Sequence, residues 1–371
     1  MTKNFLLMRI DVRYFWFALI LMIGYSCQTK NPDSAPRRIK PSALGVMNDI
    51  VVVADQDVWE SIVGDSIRRY FEGYFPLTPR PEPIFDLRHF THDDVISSNA
   101  KKELRTYLIV ADLDDPTSEV TKMVTDDLGS ERLNRNSSDQ AFTTSIGRDK
   151  WATGQVLIYL FDRGLDDLSK AVVTNYNGIS AKVNEHDLVQ LDQQTYARGR
   201  NGGLNRDFKT RYSGVDIQIP TDFKVVQDSL ADQGFFWLRK DDKHGAVNMA
   251  LRIYDYSGPD IITKASAKTR FNQFARLISS EAPGSYGVIN DRDLPILEYD
   301  RQIDNHFTRE WRGIWEMEKD FMGGPFISYA VVNESKGKML VIDAIFFAPG
   351  VKKRDLMQQI DHIAKSIKWT E

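Results

Sequence analysis

The sequence predicts a mixed α+β fold built from two α/β sub-domains, the second containing an antiparallel meander sheet. In the first half, short β-branched runs alternate with amphipathic stretches of helical period. In the second half, apolar residues alternate or cluster in three consecutive segments joined by short glycine-bearing turns. With 371 residues and 42% hydrophobic content, the chain can bury one large or two medium cores.

The first half consists of predicted strand and helix units. Residues 50–54 (IVVVA) predict a buried strand, and apolar residues then recur at steps of three and four from Trp59 to Tyr74, which predicts one amphipathic helix. The other predicted elements are a strand or extended arm over 83–90, strands over 104–111 and 155–161, a helix over 119–133, a long helix over 165–183 whose extension past Leu191 stays open, and a polar loop over 143–150.

The second half follows a break rich in glycine and basic residues at 198–213. A solvated interdomain loop is favoured here over a basic segment that meets an acidic partner or glycan. Its strongest signal is the period-two alternation of Trp311 and Trp315 with charged residues, where core packing is favoured over a sugar- or peptide-stacking platform. The predicted strands are 215–219, 235–238, 247–254, 307–317, 326–332 and 339–347, and the predicted helices are 260–278 and 356–367. This order resembles small α-β-α sandwiches of the PsbP or Mog1 type, an analogy of fold that carries no function.

The N-terminus has the three zones of a secretory signal. Basic residues precede an unbroken apolar run over 14–23, which is too short for a spanning helix of about 20 residues. Small residues then lead to Cys27, the only cysteine. The pattern is that of a bacterial lipobox, with Gly24 at the position that is usually aliphatic, and it is favoured over a buried helix with an incidental cysteine. We predict that Cys27 is lipidated, which leaves no thiol for a disulfide, a metal site or a nucleophile.

These observations give a predicted organisation. It consists of a lipoprotein signal peptide at 1–26, a flexible tether at 27–40, an N-terminal α/β domain at 41–200, a linker at 201–213 and a C-terminal α+β domain at 214–371. The net charge is −4, so the protein is not an obvious nucleic-acid binder.

The sequence contains no recognisable catalytic, cofactor or metal motif. It has no G-x-S-x-G, Walker loop, G-x-G-x-x-G after a strand, or H-E-x-x-H. We therefore assign no catalytic, cofactor-binding or metal-binding residue, and expect no cofactor. A glycosidase carboxylate pair stays open, because its two members can lie far apart in the chain.

The histidines and acidic clusters favour structural roles over metal binding or catalysis. His89 and His92 precede two aspartates and suggest a metal site, but a helix cap made by Thr91 and Asp94 is favoured. Residues 112–119 group four acidic side chains, and a solvated turn with a helix cap is favoured over a calcium loop. The remaining histidines are interpreted as a core or boundary residue at His186, loop or strand-start residues at His244 and His306, and an exposed residue at His362.

Five segments carry a resemblance to a known family. They are residues 41–45 (PSALG), 48–55, 81–90 (PEPIFDLRHF), 147–151 (GRDKW) and 312–326, which includes MGGPF. On these segments the chain resembles an uncharacterised family of Bacteroidota lipoproteins, domain of unknown function 4837, over essentially all of residues 41–371. The resemblance implies a membrane-anchored envelope protein and supplies no functional residues.

The sequence thus favours a non-enzymatic lipoprotein of the bacterial cell envelope, lipid-anchored and facing the periplasm. We expect it to act as a binding or scaffolding module, with the membrane as one partner and an envelope protein or glycan as another. The alternative is an envelope hydrolase acting on glycan or peptide through a carboxylate site that no motif announces. The sequence does not distinguish the inner from the outer membrane.

Overall fold

The computed structural model describes residues 40–135, 142–211, 214–229, 234–243 and 245–369. The predicted signal peptide, the predicted lipidation site Cys27, residues 28–39 of the tether and His244 lie outside these ranges. Residues Ser42–Glu371 form one compact unit.

The helices cover both halves of the described chain. They are α1 (Gln56–Trp59), α2 (Ile62–Phe71), α3 (His92–Ile96), α4 (Asn99–Lys102), α5 (Glu119–Leu128), α6 (Ser130–Arg135), α7 (Leu165–Thr195), α8 (Gly202–Arg211), α9 (Lys264–Ala275) and α10 (Arg354–Lys365). A short 3-10 helix, Pro259–Ile262, precedes α9.

The strands of the first half are β1 (Asp49–Val53), β2 (Asp86–Phe90), β3 (Thr106–Asp112), β4 (Thr144–Arg148) and β5 (Val156–Asp162). Those that follow are β6 (Val215–Asp216), β7 (Lys224–Ser229), β8 (Phe235–Asp242), β9 (Gly245–Asp255), β10 (Tyr286–Asn290), β11 (Leu297–Ile303), β12 (His306–Glu318), β13 (Gly323–Asn333), β14 (Lys338–Phe347) and β15 (Lys368–Trp369).

The first half is a five-stranded sheet with the order β2-β1-β3-β5-β4. Its strands pair in parallel, except that β4 runs antiparallel to β5. Helices α2 and α7 pack on one face and α5 on the other, so the central strands β3 and β5 are buried along most of their length. Burial on both faces explains their continuous apolar runs.

Two predictions for this half are wrong. The single helix expected from Trp59 to Tyr74 is broken into α1 and α2, because Ser61 caps α2 by accepting a hydrogen bond from the Val63 N–H. The polar loop expected at 143–150 contains the edge strand β4. An edge strand pairs on one side only, so its own residues need not carry an apolar pattern.

The second half is an eight-stranded sheet with the order β10-β12-β13-β14-β9-β8-β7, in which β11 also pairs with β12. Its pairings are antiparallel, and β12, β13 and β14 form the predicted meander. Helix α9 covers one face with Phe271 and Phe274, whereas α10 covers the other with Met357, Ile360 and Ile363. Strands β7, β10 and β11 were not predicted. The mixed α+β class is confirmed.

Helix α8 lies where the sequence suggested a solvated linker. Its Phe208 is buried and packs edge-on against Phe236, with 4.7 Å between the ring centroids. The loop interpretation of residues 202–211 is therefore corrected. The placement of a domain boundary in this region stays a prediction.

Candidate functional site

The N-terminus of helix α10 contacts residues of the first half of the chain. The Glu82 carboxylate accepts hydrogen bonds from the backbone N–H groups of Lys353 and Arg354, each at 2.8 Å. The first turn of a helix leaves such donors without a partner inside the helix. The Arg354 side chain, 2% exposed, donates to the Pro83 carbonyl at 2.8 Å and to Asp86 at 2.9 Å. These contacts fix the position of α10 against the segment that precedes β2.

Asn48 forms a second junction, between α7 and α10. Its backbone has φ of 65°, a left-handed conformation that asparagine tolerates better than most residues. Its N–H donates to Asp187 on α7 at 2.7 Å. Its side-chain amide exchanges two hydrogen bonds with Gln358 on α10, at 2.8 and 3.0 Å. Asn48 therefore links α7 to α10 by hydrogen bonds to both helices.

A cleft of about 360 Å³ lies beside this junction. Its size falls within the range of small-molecule sites. The first half contributes Met47, Asn48, Phe75, Pro76, Asn184, Asp187, Leu188 and Leu191; the second half contributes Tyr299, Arg301, Arg312, Gln358, Asp361, His362 and Lys365. The cleft therefore exists only when both halves are in place.

Arg312 is the most buried cation of the cleft, with a side chain that is 9% exposed. It pairs with the Asp361 carboxylate at 2.8 Å and with Glu310, and Tyr329 donates its hydroxyl proton to the other oxygen of Asp361. Burial alone would lower the pKa of Arg312, but Asp361, Tyr329 and Glu310 raise it above its ordinary value. The guanidinium therefore stays charged, as a buried ion requires when it is paired and hydrogen-bonded.

Asp187 is a carboxylate of the cleft with a raised pKa. Burial raises its pKa to about 6, against the opposing effects of the hydrogen bond from Asn48 and of the nearby Arg105. Its side chain is 8% exposed, and Arg105 lies 3.4 Å from its second oxygen. A carboxyl group with a pKa near neutrality can either accept or donate a proton under physiological conditions.

His362 was expected to be exposed, and this expectation is wrong. Its side chain is 21% exposed, and its Nε2 lies 3.0 Å from Asp192. Its ring packs near Tyr196 on the segment after α7. The sequence around His362 does not indicate this burial, because its partner Asp192 is 170 residues away.

The predicted helix cap at Thr91 is confirmed. Thr91 and Asp94 form a reciprocal capping box at the start of α3. His89 stacks flat on Trp59 with 4.7 Å between ring centroids, and its Nε2 contacts the Ala54 carbonyl oxygen, whereas His92 lies beside Asp93. These side chains therefore have structural partners in the positions where a metal site was considered.

In the acidic turn after β3, aspartate side chains accept hydrogen bonds from nearby backbone N–H groups. Asp112 accepts hydrogen bonds from the N–H groups of Asp114 and Gly164, and Asp115 accepts from Thr117. Ser118 caps α5 by accepting from Thr121. The predicted turn with a helix cap is confirmed.

Of the other histidines, His186 is half-buried on α7, as predicted for a boundary residue, and burial lowers its pKa to about 4. His306 begins β12, and its ring lies 6.2 Å from that of Trp369. Trp311 and Trp315 are 1% and 2% exposed, so the core-packing interpretation of their alternation is confirmed.

The described part of the chain contains no cluster of metal ligands and no helix that could span a membrane. Within it, no three histidine, cysteine, aspartate or glutamate side chains are grouped so that they could hold a metal ion. No helix in the same ranges has the length and apolar character that a membrane crossing requires.

The cleft itself was not anticipated from the sequence. Its charged residues belong to α7, β11, β12 and α10, and the Arg312–Asp361 pair joins residues 49 apart. Two segments that carry the family resemblance, 48–55 and 312–326, contain the cleft residues Asn48 and Arg312. The segment 81–90 contains the residues that dock α10.

Two family models match the chain. Residues 204–366 match a domain of unknown function (DUF4837), and residues 43–196 match a second domain of unknown function (DUF8532). The predicted resemblance to DUF4837 is confirmed, but over the second half and not over essentially all of residues 41–371. Both descriptions leave the activity open.

No curated protein matches the chain. A solved structure, described as the crystal structure of LpqN involved in cell envelope biogenesis of Mycobacterium tuberculosis, shares 15% identity over 42% of this chain and 83% of that chain, with a TM-score of 0.25. A likeness at this TM-score carries no argument about fold or function.

Proposed function

We propose that this chain, whose residues 204–366 match a domain of unknown function (DUF4837), is a membrane-anchored lipoprotein of the bacterial cell envelope and that its folded part is a ligand-binding module. The cleft between α7, α10 and β12 is the proposed binding site. The observation that carries this proposal is that both halves line one cavity of about 360 Å³ around a charged, buried Arg312. Buried polar groups of this kind fix the orientation of a ligand in a pocket and make binding specific.

The two sides of the cleft are held in place by contacts within the protein, which favours binding. The Asn48–Gln358 amide pair and the Glu82 contacts to α10 hold its two sides in place. A site whose side chains are already positioned loses less conformational freedom when a ligand enters, and so binds more tightly.

Attachment to the membrane is proposed from the sequence pattern that ends at Cys27. Replacing Cys27 with alanine in the full chain tests this part of the proposal. The variant is expected to lose a lipid-sized mass and to leave the membrane fraction. A variant that still sediments with membranes would contradict lipid anchoring.

Neighbouring residues on α7 provide a matched test of ligand binding. Leu188 lines the cleft and is 46% exposed, whereas Val189 is 64% exposed and lies outside the lining. Leu188→Trp is expected to obstruct the cleft, and Val189→Trp to leave it open, with little effect of either on stability. Native mass spectrometry of protein isolated from its own cells should show a bound envelope component in the wild type and in Val189→Trp, but not in Leu188→Trp. An absent adduct, or one that Leu188→Trp retains, would contradict the proposal.

The second candidate is a hydrolase, favoured by Asp187. Its pKa of about 6 lies close to the working range of a general acid or base. Asp187→Asn removes proton transfer while keeping an oxygen that can accept the Asn48 hydrogen bond. Turnover of peptidoglycan fragments or peptides by the wild type, lost in Asp187→Asn with unchanged substrate binding, would favour the enzyme over the binding module.

A further inference from the structure

The carboxylates that line the cleft have their oxygens occupied. One oxygen of Asp361 accepts from Arg312 and the other from Tyr329. One oxygen of Asp187 accepts from Asn48 at 2.7 Å, and the other lies 3.4 Å from Arg105. A ligand that offers mainly hydrogen-bond donors therefore meets few free acceptors on these side chains.

Some hydrogen-bond donors of the cleft have no partner within the described residues. Arg312 uses Nε and Nη2 for Glu310 and Asp361, and its Nη1 makes no hydrogen bond within the described residues, although the side chain is only 9% exposed. Lys365 is exposed at the edge of the cleft and has no ion-pair partner in the ranges that the structure describes. Water or a ligand in the cleft can accept hydrogen bonds from these N–H groups.

The charges do not cancel locally. The cations Arg301, Arg312 and Lys365 face the cleft, while the carboxylates paired with the two arginines are Glu310 and Asp361. Asp187 is matched by Arg105, and Asp192, which contacts His362, is matched by Arg200. Counted as formal charges, the three cations exceed the two carboxylates by one positive charge.

An apolar wall adjoins the guanidinium. The ring of Phe75 lies 5.8 Å from the central carbon of Arg312, and Pro76, Leu188 and Leu191 line the same cleft. Apolar surface beside a guanidinium whose Nη1 donor is unused fits a ligand with an anionic group next to an apolar body.

We propose that the cleft binds a monoanionic carboxylate carried on an apolar body, with the carboxylate between Arg312 Nη1 and the Lys365 ammonium and the apolar part against Phe75 and Leu191. The inference rests on the proposed binding function and specifies its ligand. A fatty acid and the carboxyl terminus of an apolar peptide share this chemistry. Charge-assisted hydrogen bonds of this type are about twice as strong as neutral ones.

The test uses matched probes on the whole folded chain. Laurate is compared with dodecanol, and N-acetyl-leucyl-leucine with its neutral amide, each by displacement of the neutral dye Nile red. A carboxylate probe is expected to bind about tenfold more tightly than its neutral partner, which corresponds to about 1.4 kcal/mol. The pair that shows the difference identifies whether the source is an acyl chain or a peptide terminus.

Two lysines near the end of the described chain provide the matched variants. Lys365 lines the cleft, whereas Lys368 is exposed on β15 outside it. Lys365→Met is expected to remove most of the preference for carboxylate, and Lys368→Met to preserve it. Arg312→Lys keeps the buried charge but lacks the Nη1 donor, so it is expected to weaken carboxylate probes selectively while the neutral probes bind as before.

The possible results separate the two proposals. If Nile red binds the wild type but not Leu188→Trp, and the carboxylates bind no better than their neutral partners, the cleft is a binding site and the carboxylate inference is wrong. If Nile red and all probes bind Leu188→Trp as they bind the wild type, the cleft is not the binding site and both proposals fail. An unchanged carboxylate preference in Lys365→Met and in Arg312→Lys would also overturn the inference.

Discussion

The carboxylate of Glu82 accepts a hydrogen bond from the backbone N–H of Arg354 at 2.8 Å, across 272 residues of sequence. Its other oxygen accepts from Lys353. An acidic side chain from one half of the chain thus caps a helix of the other half and lies at the positive end of that helix.

Removing this cap is expected to destabilise the protein. Glu82→Gln keeps one acceptor and should cost about 1 kcal/mol, and Glu82→Ala about 2 kcal/mol, as for helix caps in general. Urea unfolding followed by circular dichroism measures both. Glu281→Gln, at an exposed glutamate, is the control and should unfold like the wild type. Equal midpoints for Glu82→Ala and the control would show that the cap does not contribute to stability.

The contacts of the Arg354 side chain should contribute more to the unfolding free energy than the hydrogen bond of its backbone N–H. Arg354→Met would leave the Pro83 and Ile84 carbonyls without their donor and remove one cation from Asp86. Disrupting a buried ion pair in this way costs about 3–5 kcal/mol. Arg292 pairs with Glu316 but is 73% exposed, so Arg292→Met should cost no more than about 1 kcal/mol. Similar unfolding free energies for the two variants would contradict the assigned burial.

Asp187 predicts a specific pH dependence. Its pKa is raised from 3.8 to about 6 in the folded protein, so the folded state binds more protons than the unfolded state between these values. The contribution of this group to stability is complete below pH 3.8 and is lost as the pH rises through about 6, by about 3 kcal/mol in total.

Asp187→Asn should remove that contribution. The difference in unfolding free energy between the wild type and the variant is expected to shift in favour of the variant as the pH rises from 4 to 7. Chemical denaturation at four pH values in this interval measures the difference. A constant difference across the interval would show that the pKa of Asp187 is not raised.

Two glycines are expected to respond to alanine in opposite directions. At Gly324 a Cβ would lie 2.0 Å from the Phe346 carbonyl oxygen, which accepts the Trp315 indole hydrogen bond. Gly324→Ala should therefore cost about 2–3 kcal/mol. Gly178 lies in the interior of α7 with open space around it, so Gly178→Ala should stabilise by about 0.5–1 kcal/mol. Thermal unfolding of both variants checks the signs, and a shift in the same direction for both would refute the argument.

Local patterns were sufficient where partners are close in sequence. The capping box of Thr91 and Asp94 could be predicted because its members are three residues apart. The strand β12 could be predicted because alternate burial of Trp311 and Trp315 imposes period two on its residues. The long α7 could be predicted from apolar residues that recur at helical spacing.

Prediction failed where the structure depends on remote neighbours. Helix α8 begins with two glycines and has one fully buried apolar side chain, Phe208, so its own pattern resembles a loop. Strand β4 is defined by its pairing with β5. The cleft was missed for the same reason, because Arg312 and Asp361 come together only through the register of the sheet and the placement of α10.

The long separation between Glu82 and Lys353 has a consequence for folding order. The meander of β12 to β14 closes through short turns, whereas the docking of α10 must close a loop of 271 residues, which is entropically the more expensive step. In a nascent chain, the Glu82 carboxylate and the Asn48 side-chain amide therefore hydrogen-bond with water until α10 docks, whereas the Asn48 N–H has its partner, Asp187, in the first half. A chain truncated before residue 353 would lack α10 and with it one side of the cleft, so ligand binding in the cleft would show that the long-range assembly is complete.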